Sequence, residues 1–167
     1  MKAYLKLVDL INKIVGYILG VIIGTMSILI LLQIFTRFVI NYPLHWTEEL
    51  ARYLMIYGVF LGAALALRYN RLISIEAVAQ ALPPKMQSLL KKVVMVITII
   101  FALVLVIQGI EITSTINNQT SAGLGIPMSI PYLAIPSGAI LIIINAFAVI
   151  FDGGKNHREE SEEATWQ

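Results

Sequence analysis

The residues best placed to do chemistry stand in one run, Trp46-Thr47-Glu48-Glu49-Leu50-Ala51-Arg52, which sets two carboxylates, a guanidinium, a hydroxyl and an indole within two helical turns. Neighbouring carboxylates invite an acid–base reading. On a helix, however, Glu48 and Glu49 point about 100° apart and do not converge on one atom. A boundary charge cluster fits better. Both acids lie three or four residues before Arg52, on its face, and acids in a first turn favour the positive end of the helix dipole. Thr47 is a candidate N-cap and Trp46 suits an interfacial aromatic belt. Arg37 would complete a net-neutral set of two arginines and two glutamates. The cluster either caps a helix and fixes its depth in a bilayer or reaches a partner subunit.

The other chemically active types are sparse. There is no cysteine, which excludes disulfides, thiolate nucleophiles and cysteine metal sites. His45 and His157 fall in different predicted compartments, so a histidine metal site is not supported, and no cofactor is expected in this chain. Small residues recur every fourth position at Gly16, Gly20 and Gly24, and again at Gly58, Gly62 and Ala66. Such stripes let helices approach closely in lipid, either within the chain or against another subunit. The segment 117–131 has the glycines and prolines of a loop: Gly123, Gly125, Pro127 and Pro131.

The elements that must position these residues are membrane spans. Of the 167 residues, 58% are hydrophobic and 13% charged, against about 45–50% and about 25% in a soluble domain. The apolar residues come in runs, which excludes a compact soluble enzyme. Net charge is +2 from 12 basic and 10 acidic side chains, too balanced for a nucleic-acid binder. The sequence predicts an all-α membrane protein with four spans at about 14–36, 48–67, 93–116 and 132–151. The first is too long an uncharged run for a signal peptide. In the second, the uncharged stretch Tyr53 to Leu67 covers only about 22 Å of the roughly 30 Å needed. That span must begin near Glu48, which draws Arg52 about a turn inside the boundary.

Ten of the twelve basic residues fall in the N-terminal segment, the central connection and the C-terminal tail, which predicts both termini to be cytoplasmic. Lys2, Lys6, Asp9 and Lys13 share a helix face opposite Leu5, Val8 and Ile11, an amphipathic lead-in to span one. Residues 72–82 read as a short helix on the cytoplasmic leaflet, with Arg68, Arg71 and Glu76 at that interface. From Pro84 a helix either runs unbroken to Ile116 or breaks near Lys92. Residues 1–152 make one membrane domain, and the acidic tail 153–167 reads as disordered. The predicted midplanes hold no ionisable residue, which argues against an autonomous transporter or proton relay. A self-sufficient exporter and a membrane enzyme with boundary carboxylates are the rival readings.

Arg37-Phe38-Val39, Pro43, the Trp46–Arg52 run, Gly62, Arg68, Ile73 to Glu76, Ile126-Pro127, Pro131-Tyr132 and Ile135-Pro136 together resemble the small permease subunit, DctQ or SiaQ type, of tripartite ATP-independent periplasmic (TRAP) transporters. The resemblance spans about residues 5–152. Leu72 stands where many members have His, and Glu76 where many have Asp. The resemblance implies a non-enzymatic subunit of the bacterial inner membrane, in contact with lipid, that scaffolds a large elevator-type permease. That partner would carry the sodium ions and the organic-acid site, and a periplasmic binding protein would deliver substrate.

Overall fold

The computed structural model describes residues 2–42, 44–69 and 83–151. The helix expected at 72–82, with Arg71 and Glu76, and the tail 153–167 lie outside these described residues. Four helices are long and apolar enough to cross a membrane. They are α1 (Lys2–Phe38), α2 (His45–Arg68), α3 (Pro84–Thr115) and α5 (Ala134–Phe151), the last preceded by a single turn, α4 (Ser129–Tyr132).

Their boundaries follow from local chemistry. α1 is one helix of 37 residues, about 55 Å long, so the amphipathic lead-in continues directly into the first span. α2 starts at His45, three residues before the expected boundary. Its N-cap is Leu44, with no side-chain cap. Thr47 is therefore not the cap: it lies inside the first turn, buried, and its hydroxyl donates back to the Leu44 carbonyl at 2.7 Å. α3 is unbroken over 32 residues, which decides for the continuous helix over a break near Lys92. Pro83 is its extended N-cap and Pro84 occupies the first turn, where the missing N–H costs nothing.

The spans form an open row, α1–α2–α5–α3, with α1 also touching α5. There Tyr4 donates to the Ile144 carbonyl at 3.1 Å, and its ring meets Phe151 edge-on. Leu67, Met95, Ala146 and Val149 make a core where α2 and α3 flank α5. Small residues permit the closest approaches, but not the ones the stripes suggest. A Cβ on Gly138 would lie 2.5 Å from Phe60 Cβ, and one on Gly109 would lie 2.9 Å from Pro136 Cδ. These two glycines join α5 to α2 and to α3. Gly58 and Gly62 make ordinary contact with Leu19 and Ile22 of α1, whereas Gly16, Gly20 and Gly24 face open space. Ala66 is half-buried. The two stripes do not meet.

Candidate functional site

Polar groups gather at the two ends of α2. At the Trp46 end the expected four-charge cluster divides. Arg52 pairs with Glu48 at 3.1 Å, and Gln33 of α1 donates to the other Glu48 oxygen at 3.4 Å. Arg37 stands apart, its guanidinium 5.7 Å from the centre of the Phe38 ring. Glu49 turns the other way. Its Oε2 accepts the backbone N–H groups of Gly123 and Leu124 at 2.7 and 2.9 Å, and its Oε1 accepts the Tyr53 hydroxyl at 2.5 Å. Adjacent positions on one helix thus serve different directions, as the turn of about 100° between them allows.

The loop that Glu49 holds is itself ordered by backbone bonds. Thr120 and Pro127 form an isolated bridge, the Ser121 N–H donates to Ile126 O at 2.8 Å, and Met128 N–H donates to Gln119 O at 2.8 Å. Gly125 turns the chain at φ +66°, a conformation that favours glycine. Tyr57, one turn beyond Tyr53, donates to the Ile130 carbonyl at 2.7 Å. The face Glu49, Tyr53, Tyr57 therefore fastens residues 121–130 to α2. A Cβ at position 123 would sit 2.6 Å from Glu49 Oε2 and 3.4 Å from Trp46 Cα. Gly123→Ala should push the carboxylate off both amides, so that Gly123 and Leu124 amide hydrogens exchange severalfold faster while the helices keep their protection. Unchanged exchange at Leu124 would count against the latch.

At the Arg68 end, Arg68 is 2% exposed and donates through Nε and Nη2 to Asp9 Oδ1 of α1, at 2.9 and 2.6 Å. A turn deeper, the amides of Asn12 and Asn145 exchange hydrogen bonds of 2.6 and 2.8 Å. Asn12 also donates to Val8 O and Asn145 to Ala64 O, each at 2.8 Å. Both asparagines are fully buried. A side-chain amide has two donors and an acceptor, so this arrangement satisfies both amides where neither is exposed. It fastens α1, α2 and α5 at one point.

Sequence reasoning placed Arg68 at an interface, but it did not find its partner Asp9 or the Asn12–Asn145 pair. It also passed over Tyr53, Tyr57, Gly109 and Gly138. Among the described residues, no group of three or more His, Cys, Asp or Glu side chains converges on a point that could hold a metal ion. The buried Thr36 and Thr47 hydroxyls are engaged by nearby carbonyls.

Four apolar helices joined by polar contacts at both ends define an all-α, multi-pass integral membrane protein. Residues 26–155 match the family described as tripartite ATP-independent periplasmic transporters, DctQ component. The chain belongs to this family: it is a small TRAP permease subunit of the inner membrane and not an enzyme. A Haemophilus influenzae protein (strain Rd) assigned as a TRAP transporter small permease protein is 34% identical over 82% of this chain and 85% of its own. The sialic acid TRAP transporter small permease protein SiaQ of Vibrio cholerae is 26% identical over 86% of this chain and 83% of that protein. The sialic acid TRAP transporter permease protein SiaT of H. influenzae strain 86-028NP is 27% identical over 88% of this chain, which matches only 24% of SiaT.

Proposed function

We propose that this chain is the small subunit of a sodium-driven secondary transporter for organic acids. It scaffolds a large elevator-type permease at a fixed depth, and a periplasmic binding protein delivers the substrate to that permease. The observation that carries this reading is where the polar side chains go. Asp9, Asn12, Arg68 and Asn145 are engaged with one another between helices, and Glu49 with a loop. A transport path built from this chain would need ionisable or broken-helix groups facing a cavity near the midplane.

A permease partner is supported by SiaT, in which a region like this chain is about a quarter of one longer permease protein. With both termini cytoplasmic, as the distribution of Lys and Arg favours, the Asp9–Arg68 pair lies at the cytoplasmic boundary and the Glu49 latch at the periplasmic one. The names SiaQ and SiaT make sialic acid one candidate substrate.

The test is sodium-dependent uptake of organic acids by proteoliposomes holding this chain alone, the large permease alone, or both with the binding protein. Uptake is expected only from the full set. Flux from this chain alone would overturn the scaffold reading, and full uptake without it would remove its role.

A further inference from the structure

α2 and α5 are the inner helices of the row, and each is covered except along one stripe. On the α5 side the exposed residues are Leu133, Ser137, Ile140, Phe147 and Phe151. This stripe is apolar but for Ser137, whose hydroxyl donates to the Leu133 carbonyl at 2.7 Å, so lipid suits it. On α2, beyond the first two residues, the exposed positions are Glu48, Arg52, Met55, Val59 and Ala63, which fall on one helix face.

The two stripes differ in chemistry. The Glu48 and Arg52 side chains are 56% and 62% exposed, although Arg52 lies about 10 Å along the helix from its first residue. Hydrocarbon offers neither group a hydrogen-bond partner. Arg37, one turn beyond Gln33 on α1, is also exposed, with the Phe38 ring as its contact. Glu49 is engaged by the loop. The exposed charges on the stripe are therefore the Glu48–Arg52 pair, the Glu49 carboxylate being turned to the loop.

We infer that the α2 stripe seats a transmembrane helix of the large permease, which brings polar side chains to the exposed Glu48–Arg52 pair and apolar residues to Met55, Val59 and Ala63. The inference rests on the functional reading above. The permease is the occupant because in SiaT the region like this chain and the rest of the permease are one polypeptide, present in equal number in one membrane.

The experiment uses the full chain co-expressed with its neighbouring large permease. Co-purification of the unaltered pair tests the functional reading first, and its failure would overturn that reading together with this one. Photoreactive benzoylphenylalanine is then placed at Val59 or, for comparison, at Ile140. Val59 should give a small–large adduct and Ile140 should not. No permease adduct from Val59, equal yields from both positions, or an adduct between two copies of this chain would overturn the stripe assignment while leaving the functional reading intact.

Exchanging the charges, Glu48→Arg with Arg52→Glu, keeps an internal pair but moves its sign relative to the partner. Co-purified permease should fall by about tenfold. Unchanged recovery would overturn the contact between the Glu48–Arg52 pair and the permease on which the assignment stands.

Discussion

Replacing Gly138 with leucine is expected to force α2 and α5 apart and to remove most of the folded subunit from the membrane. A Cβ at that position would lie 2.5 Å from Phe60 Cβ, far inside van der Waals contact. Phe60 Cβ is the root of a side chain, so it moves only if the α2 backbone moves. A single extra methyl in a close-packed site costs about 1–3 kcal/mol, which sets the expectation for Gly138→Ala. Leucine adds three further carbons at the centre of the row, where α5 joins α2 to α3. Heat resistance in detergent measures both. Gly20→Ala is the comparison, since open space lies beyond Gly20, and alanine favours a helix over glycine by about 1 kcal/mol. The Gly20 variant should hold or gain stability. A Gly138→Ala protein as heat-resistant as the unaltered one would contradict the close helix contact.

The contrast between these glycines shows what the sequence could and could not carry. Spacing every four residues marks Gly16, Gly20 and Gly24 as conspicuous, yet they face outwards. Gly109 and Gly138 belong to no stripe, and their importance depends on which helix lies opposite, which periodicity along one chain cannot state. The spans themselves were legible because apolar runs respond to lipid locally. Glu48 with Arg52 was legible for the same reason, as four residues along a helix is a local distance. Glu49 was not, since its partners Gly123 and Leu124 are more than 70 positions away. The Asn12–Asn145 bonds connect positions 133 residues apart. A lone asparagine in an apolar span does signal a buried partner, because an unpaired amide in lipid is costly. The signal gives no address for that partner.

Asp9 and Arg68 offer the second large effect, and the two single replacements should not be equal. Arg68 is 2% exposed while Asp9 is 44% exposed. Asp9→Ala leaves a guanidinium buried without its carboxylate, and breaking a buried pair in this way costs about 3–5 kcal/mol. The lower end is expected, as Arg68 has interactions beyond those with Asp9. Arg68→Met instead removes the buried cation, its interactions beyond Asp9 included, and leaves a carboxylate that can reach water, so no buried cation is stranded. The double variant should then be close to Arg68→Met alone, because removing Asp9 strands a charge only while Arg68 is present. Unfolding midpoints of the four proteins close the cycle. Equal, additive losses would mean that the pair is worth no more than an exposed ion pair, such as Glu48 with Arg52, for which about 0–1 kcal/mol is usual. The same variants test where the strain goes. α1 touches α5 through Tyr4 and Asn12 near Asp9, so loss of the pair should free the first turns of α1 and speed amide exchange there before it affects α3.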